Sequence, residues 1–213
     1  GAGFDLTATG LTSIGSTVTD LGALVANQTL TTTGAIGATS VAVTGTSTLG
    51  GNVSTTGAQS YTGAVTLNAT PITLTGTTPT FTGGVVGAGK DLTLSFSGTT
   101  AIDGATFTGI NNLTTNNAGT TNLTGIITTT GTQTYTDPVT LTGATTAAAG
   151  ANLVSFGGTV DGGQTLSVTG AGGASFAGAV GGTTNLTSVA VTGATKLGGN
   201  VSTTGAQSYT GAV

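Results

Sequence analysis

A short motif, Ser/Thr-Φ-x-Gly-x-Val with Φ an apolar or aromatic residue, recurs ten times along the chain, in places only approximately. The spacings between successive Φ positions are 12, 20, 21 and 21, then 12, 21, 20 and 21, and then 12 again. Internal periods of about 20 residues are typical of solenoids, in which each repeat buries its apolar side chains against its neighbours. The Φ residues are Leu49, Tyr61, Phe81, Ile102, Leu123, Tyr135, Phe156, Phe176, Leu197 and Tyr209.

The composition predicts an all-β fold. Thr makes up about a quarter of the 213 residues and Gly accounts for 40 of them, while Glu, Arg and Met are absent. Thr and Val favour strands and Gly favours turns, whereas the missing residue types are good helix formers. Only 4% of the residues are charged, but the apolar content of 36% is too high for a chain that stays disordered.

A longer repeat is superimposed on the motif. The segment Ser40 to Val65 returns from Ser188 to Val213 with three differences, and a relative of it lies halfway, from Thr129 to Leu141. These offsets define a super-repeat of about 74 residues, within the range of repeat arrays built from several coils. The last copy stops within the motif, and we therefore expect a fragment of a longer chain. We predict that residues 40–213 form a regular solenoid shaft and that residues 1–39 are a diverged N-terminal part of it.

Each unit of about 21 residues matches one coil of a parallel β-helix. Alternation with a period of two places Φ, Gly and Val of the motif on one inward face. Gly at a core position often marks a close approach, and we expect a ring from the next coil to lie over it. The Φ side chains are then predicted to form an internal column, and the outward Thr residues to form ladders.

The short spacing, as from Leu49 to Tyr61, does not close a coil of this size. Either one coil is expanded to about 33 residues and uses the motif twice, which we favour, or one coil is cut down. Antiparallel hairpin repeats are the alternative fold. They favour Asp-Gly turns, and only Asp103-Gly104 and Asp161-Gly162 fit.

The string GGNVSTTGAQSYTGAVTL, together with TFTGGV, FGGTVDGGQTLSVTG and FAGAVGGTTNLTSVAVTG, resembles the repeats of giant bacterial filamentous-haemagglutinin-like and autotransporter-like surface adhesins. The resemblance covers about residues 40–213. It implies a right-handed β-helix, secretion to the bacterial cell surface, and a structural role in adhesion, biofilm or extracellular filaments. Shaft repeats of this family have no catalytic residues, so none are carried over.

No catalytic, cofactor-binding or metal-binding residue is predicted, and we expect the chain not to be an enzyme. The loop from Gly84 to Lys90 matches a phosphate-binding loop until Asp91 replaces the required Ser or Thr. Hydrolysis of a glycosidic bond requires two carboxylates close together on one face, but the six Asp residues fall at unrelated positions of the repeat. The Asp residues are Asp5, Asp20, Asp91, Asp103, Asp137 and Asp161.

Other patterns favour structural roles. Tyr61, Tyr135 and Tyr209 occupy one position of the super-repeat, and we interpret them as core residues whose hydroxyls reach an edge. Frequent Thr-x-Thr pairs give the alternative function, an ice- or glycan-binding solenoid, if outward Thr residues align in register on successive coils. Asn-x-Ser/Thr sequons, which an excess of Thr produces by chance, occur at Asn27, Asn52, Asn68, Asn112, Asn122, Asn185 and Asn200.

Charge and hydropathy limit the expected partners. Two lysines, Lys90 and Lys196, and a net charge of −4 argue against binding to nucleic acid, which requires many cations. No apolar run approaches the ~18 residues of a membrane helix. Uncharged Thr, Gly and Asn surfaces with few protecting charges at the ends favour pairing with further copies, so we predict self-association into fibres or by lateral packing.

Overall fold

The computed structural model describes residues 3–213 and is all-β, with strands that pair only in parallel among these residues. It confirms the predicted parallel β-solenoid, and the antiparallel hairpin alternative is wrong; the handedness stays a prediction of the resemblance. The strands are β1 (Leu6–Ala8), β2 (Thr12–Ile14), β3 (Val18–Ala26), β4 (Leu30–Thr32), β5 (Ile36–Val43), β6 (Ser47–Leu49), β7 (Val53–Thr55), β8 (Gln59–Tyr61), β9 (Val65–Leu67), β10 (Ile72–Gly76), β11 (Pro79–Phe81), β12 (Val85–Val86), β13 (Leu92–Phe96), β14 (Thr99–Asp103), β15 (Phe107–Thr108), β16 (Leu113–Asn116), β17 (Thr120–Thr128), β18 (Gln133–Tyr135), β19 (Val139–Ala148), β20 (Val154–Phe156), β21 (Val160–Asp161), β22 (Thr165–Thr169), β23 (Ala174–Phe176), β24 (Ser188–Val191), β25 (Thr195–Leu197) and β26 (Gln207–Tyr209).

Each coil runs along three faces in turn. Face 1 consists of the start of β3 and β5, followed by β7, β10, β13, β16, β18, β20, β23 and β25. Face 2 consists of β1, the ends of β3 and β5, then β8, β11, β14, the starts of β17 and β19, and β21. Face 3 consists of β2, β4, β6, β9, β12, β15, the ends of β17 and β19, then β22, β24 and β26.

The coils differ in length along the chain. Near the N-terminus, partners in adjacent coils are close in sequence, as for Val18 with Ile36. The separation is larger between Leu74 and Leu94 and larger again between Thr165 and Ser188, but in the last coil, between Val189 and Gln207, it is as small as at the N-terminus. Strands of adjacent coils still pair residue by residue, so most of the added residues lie in the corners between faces.

The core is a set of inward columns produced by strict alternation. Leu92, Leu94 and Phe96 of β13 are buried, whereas Thr93 and Ser95 between them are half-exposed. On face 1 one column passes through ten coils in register, which at ~4.8 Å per coil makes a rod about 50 Å long. Its members are Val18, Ile36, Val53, Leu74, Leu94, Thr115, Tyr135, Phe156, Phe176 and Leu197.

The ten Φ residues do not form one column, contrary to the sequence-based expectation. Tyr135, Phe156, Phe176 and Leu197 lie on face 1, Tyr61, Phe81, Ile102 and Leu123 on face 2, and Leu49 and Tyr209 on face 3. Leu49 and Tyr61 are therefore separated by two sides of the triangle rather than by a whole coil. The expected coil of about 33 residues is wrong, and so is the cut-down coil, because Ile36 and Ser47 pair in ordinary register with Val53 and Val65.

The glycine of the motif lies at a corner and not beneath a ring. A Cβ atom built on Gly63 would overlap the carbonyl group of Gly45, and one on Gly83 would overlap the peptide between Gly63 and Ala64. Successive corners stack so closely that the backbone of the preceding coil occupies the place of a side chain. The expectation of a covering ring is wrong, while the underlying inference of a close approach holds.

Candidate functional site

The most elaborate side-chain arrangement is a buried corner built by the sequence VSTTGAQSY. Val53 and Thr55 lie on face 1, and Gln59 and Tyr61 lie on face 2 of the same coil. The Tyr61 hydroxyl donates a hydrogen bond to Gln59 Oε1 at 3.0 Å. Gln59 Nε2 donates to the carbonyl oxygen of Val53 at 3.1 Å and, in the next coil, to that of Thr75 at 2.8 Å. These bonds satisfy the polar groups of two fully buried side chains.

The same corner occurs three times, and each time on different faces. Tyr135 Oη donates to Gln133 Oε1 at 2.9 Å, and Gln133 Nε2 donates to the carbonyl oxygens of Ile127 at 2.9 Å and Ala148 at 3.2 Å. In the third copy Tyr209 Oη donates to Gln207 Oε1 at 3.3 Å, and Gln207 Nε2 donates to the carbonyl oxygen of Val201 at 3.2 Å. We call these three arrangements the Gln–Tyr corners.

The change of face follows from the length of the super-repeat. Tyr61 lies on face 2, Tyr135 on face 1 and Tyr209 on face 3. Because one super-repeat corresponds to three coils and two further sides, each copy is rotated by one face relative to the previous copy. The repeated sequence can therefore begin on any of the three faces and still form the same corner.

Burial raises the pKa of the phenol of Tyr61 and of Tyr135 above its usual range, and that of Tyr209 in the same direction. The three hydroxyls thus remain protonated and act as hydrogen-bond donors. Tyr61 also stacks on Phe81 with ring centroids 5.6 Å apart, and Tyr135 stacks on Phe156 at 5.3 Å. Tyr61 and Tyr135 are core residues, as predicted, and Tyr209 is half-buried against the core. The expectation that the hydroxyls reach an edge is wrong for Tyr61 and Tyr135, because both side chains are fully buried and each hydroxyl bonds to a buried Gln.

Two of the aspartates tie neighbouring coils together at their corners. Asp91 Oδ1 accepts hydrogen bonds from Asn111 Nδ2 at 2.7 Å and from Asn112 Nδ2 at 2.9 Å, and Asn112 Oδ1 accepts one from the backbone N–H of Thr132 at 2.8 Å. Asp161 Oδ1 accepts one from the backbone N–H of Thr183 at 2.8 Å. A carboxylate that accepts such bonds links its own coil to the next.

The other aspartates also serve the fold. Asp5 and Asp103 accept hydrogen bonds from the backbone N–H groups of Ala23 at 2.7 Å and Ala105 at 2.9 Å, and Asp20 accepts one from the hydroxyl of Thr19 at 3.3 Å. Asp137 is almost fully buried in a corner. Within residues 3–213, no three His, Cys, Asp or Glu side chains gather in a group that could hold a metal ion.

The loop that partly matched a phosphate-binding sequence is a corner between two strands. It connects β12 to β13, with a backbone hydrogen bond from Lys90 N to the carbonyl oxygen of Gly87 at 2.9 Å. A strand, and not a helix, follows Asp91, so the amide groups of a helix N-terminus that would face a phosphate are missing from this part of the chain.

The sequons lie mainly on exposed corners. Asn112 and Asn122 are half-buried, and Asn112 is engaged with Asp91. The exposed members are Asn27, Asn52, Asn68, Asn185 and Asn200. The interpretation of these sequons as chance matches stays a prediction.

Face 1 carries an outward ladder of hydroxyl groups in register on six consecutive coils. We call this set the face 1 ladder. Its members are Thr73, Thr93, Thr114, Thr134, Ser155 and Ser175. The sequence left open whether outward Thr residues align, and on this face they do.

A second, shorter column lies beside the face 1 ladder. Ser54, Thr75, Ser95 and Asn116 occupy it in register, and Thr136 follows Asn116 one coil later, bonded through its backbone N–H to the carbonyl oxygen of Thr115 at 2.9 Å. Four successive coils therefore present two outward polar residues each on face 1.

Comparisons with family models, curated proteins and solved structures returned no match to this chain. Within residues 3–213 there is also no helix of the length and apolar character needed to cross a membrane. The features of the molecule that bear on function are the solenoid, its internal corners and its outward ladders.

Proposed function

We propose that this chain is a segment of the structural shaft of a bacterial cell-surface adhesin or extracellular fibre, secreted from the cell. The observation that carries the proposal is the unbroken inward column of face 1, which crosses ten coils in register. Every coil is hydrogen-bonded to the next along the axis, so a pulling or bending load is shared by many backbone bonds.

The rotation of the super-repeat supports a mechanical role. A binding or catalytic site requires particular side chains at one place on the surface, whereas these repeats put the same sequence on three different faces. What every copy preserves is the internal Gln–Tyr corner. A repeat that preserves this internal corner on any of the three faces suits a chain whose task is to be long and stiff.

The shaft is also proposed to associate with further copies end to end. In the described part of the chain no coil covers Gln207 and Tyr209 of β26, and their side chains are more exposed than those of Gln59 and Tyr61. β2 has the same alternation, with Ile14 buried inward and Ser13 exposed outward. If β2 of a second copy stacks on β26, then Thr12, Ser13 and Ile14 lie over Gln207, Ser208 and Tyr209.

A cysteine pair tests this association directly, because the chain contains no Cys. Ser208→Cys in one preparation and Ser13→Cys in another should give a crosslinked heterodimer when mixed and oxidised, since adjacent parallel strands bring Cα atoms to about 4.8 Å, within the range of a disulfide. The control pairs Ser208→Cys with Thr31→Cys, which lies one coil away and should not crosslink.

Sedimentation of the unmodified chain completes the test. Concentration-dependent rods with lengths in multiples of about 50 Å are expected. A monodisperse monomer at high concentration, together with absence of the Ser13–Ser208 crosslink, would contradict end-to-end assembly. A globular rather than rod-shaped scattering profile would contradict the shaft itself.

A further inference from the structure

We propose that face 1 binds ice through the face 1 ladder, a function that does not depend on the shaft role. The six ladder residues, from Thr73 to Ser175, are half-exposed and stack in register. Parallel strands fix their separation at about 4.8 Å per coil. A crystal of water presents hydrogen-bonding groups at a regular spacing, so a regular row of hydroxyls meets it at many points at once.

The ladder hydroxyls are free to bond to water. Among residues 3–213, none of the hydroxyls of Thr73, Thr93, Thr114, Thr134, Ser155 and Ser175 takes part in a hydrogen bond within the protein. Threonines elsewhere are engaged, as Thr29 is with Thr46 at 3.2 Å and Thr121 with Thr115 at 2.9 Å. The row thus offers an outward donor and acceptor on every coil.

Several observations favour a flat crystalline partner over a sugar. Ligand pockets for small molecules are concave, whereas the ladder lies along the face of a sheet. The aromatic rings of face 1 strands, those of Phe96, Tyr135, Phe156 and Phe176, point inward and are buried, so no ring on the ladder is available for a sugar to stack on. The ladder itself carries no charge until Lys196, the next residue in register after Ser175.

The backing of the ladder is rigid. Phe156 and Phe176 stack beneath it with ring centroids 5.0 Å apart and an angle of 2° between their planes. Tyr135 is held by Gln133 at 2.9 Å. Because strand pairing fixes the backbone that carries the hydroxyls, many weak contacts add up without a large ordering cost.

The other two faces lack a row of this length. The outward residues of face 2 include Ala42, Ala101, Asn122 and Asp161 between its hydroxyls. On face 3 a shorter row of four hydroxyls, those of Ser13, Thr31, Thr48 and Thr66, ends at the exposed Val86. The three faces of one molecule therefore supply matched controls.

The test measures thermal hysteresis and inhibition of ice recrystallisation with the full chain. Thr114→Tyr places a bulky ring in the middle of the face 1 ladder and should abolish most of the activity. Thr140→Tyr makes the same change at a half-buried outward Thr on face 2, and Thr66→Tyr does so on face 3; both should leave activity unchanged. Circular dichroism verifies that each variant folds, and Thr93→Tyr replaces Thr114→Tyr if the latter does not.

Absence of activity in the unmodified chain would overturn the proposal, and so would equal losses for Thr114→Tyr and Thr140→Tyr. Loss with Thr66→Tyr alone would assign ice binding to face 3 and contradict the role of face 1. Sedimentation with powdered crystalline cellulose and chitin separates the remaining alternative: binding to either polysaccharide that Thr114→Tyr removes, without any effect on ice, would replace ice by a glycan. None of these outcomes bears on the scattering profile that tests the shaft or on the crosslink that tests end-to-end association.

Discussion

Residues 50–65 and 198–213 have nearly the same surroundings in sequence and share the string GGNVSTTGAQSYTGAV, but they lie on different faces and differ in burial. Gln59 and Tyr61 are fully buried on face 2, whereas Gln207 is exposed and Tyr209 is half-buried on face 3. The bonds inside the corner are nevertheless the same, including that from Thr55 to the carbonyl oxygen of Gly57 and that from Thr203 to Gly205, both 2.8 Å.

The comparison separates what a corner makes by itself from what its neighbour contributes. All the shared bonds join residues that lie within one copy of the corner, so the local sequence is sufficient for them. The difference lies in two bonds, from Gln59 Nε2 and from Thr55 Oγ1 to the carbonyl oxygen of Thr75, which belongs to the next coil. The conformation of a Gln–Tyr corner is therefore determined by its own sequence. Its burial, and most of the stabilisation that comes with burial, depends on the next coil.

The largest expected effect is the loss of the ring in the buried copy. Tyr61→Ala should lower the free energy of unfolding by about 3–5 kcal/mol, because it removes a fully buried aromatic side chain and its stacking on Phe81. Tyr209→Ala, with the same sequence neighbours but no coil above it in the described part of the chain, should cost only about 1–2 kcal/mol. Urea denaturation followed by circular dichroism gives both values.

The pair forms its own control. Equal losses for Tyr61→Ala and Tyr209→Ala would show that burial by the next coil contributes little and would break the comparison. Tyr135→Ala, in a buried copy on face 1, should match Tyr61→Ala and not Tyr209→Ala.

Much of the fold was predictable because the period of the motif is the period of the coil. The strand-forming Thr and Val, the turn-forming Gly and the recurring spacing of about 20 residues indicated a parallel solenoid. They also identified Tyr61, Phe156 and Phe176 as core. These features depend on local preference and on repetition, both of which a single sequence displays.

The three faces were not predictable from the same motif, because the motif occurs on all of them. The 12 residues from Leu49 to Tyr61 cross two sides of the triangle, but the spacing alone is equally compatible with one coil of unusual length. The reason for Gly63 was also hidden, since the group that it approaches is the backbone of Gly45, in the preceding coil. Contacts between coils decide both features.

The sequence carries a signal for the face 1 ladder, but the Φ motif does not reveal it. Its members follow one another at the period of the coil, as Thr73, Thr93 and Thr114 do. Measured from the Φ residues, the offsets of outward threonines vary, because Φ itself moves from face to face. Direct comparison of Thr with Thr reveals the row.

A smaller effect on stability is expected from replacing a buried Thr that recurs in two copies of the super-repeat but has a hydrogen-bond partner in only one of them. Thr121 and Thr195 occupy the same position in successive super-repeats, and both are buried. Thr121 Oγ1 donates to Thr115 Oγ1 at 2.9 Å, whereas Thr195 Oγ1 is a buried atom without a hydrogen-bond partner among residues 3–213. Thr121→Val should therefore lower the free energy of unfolding by about 1–2 kcal/mol, and Thr195→Val should raise it by up to about 1 kcal/mol.

Because the same substitution is made at both positions, the test is whether the two changes in the free energy of unfolding have opposite signs. Urea midpoints of Thr121→Val and Thr195→Val should move in opposite directions from the unmodified chain. A shift of both midpoints to lower urea would show that the hydroxyl of Thr195 bonds to water or relaxes toward a partner in solution. The hydroxyls of Thr121 and Thr195 would then both stabilise the fold, although only that of Thr121 has a hydrogen-bond partner in the structure.

The smallest expected effect concerns Asp137, which stands where the first copy has Gly63. Its side chain is only 5% exposed; burial raises the pKa of this carboxyl, and a hydrogen bond from the backbone N–H of Ala118 acts in the opposite direction. A carboxyl whose pKa is higher in the folded chain than in the unfolded chain stabilises the fold while it is protonated. Its contribution is complete below the unfolded pKa of about 3.9 and is lost as the pH rises through the folded value.

Asp137→Asn removes the ionisation while keeping the size of the side chain. The urea midpoint of the unmodified chain should fall, relative to that of Asp137→Asn, as the pH is raised from below about 4 towards neutrality. A difference that stays constant over this range would mean that the Ala118 hydrogen bond fully offsets burial. In that case ionisation of Asp137 does not destabilise the fold. The corner at Asp137 and the equivalent corner at Gly63 would then differ in sequence without a difference in stability that depends on charge.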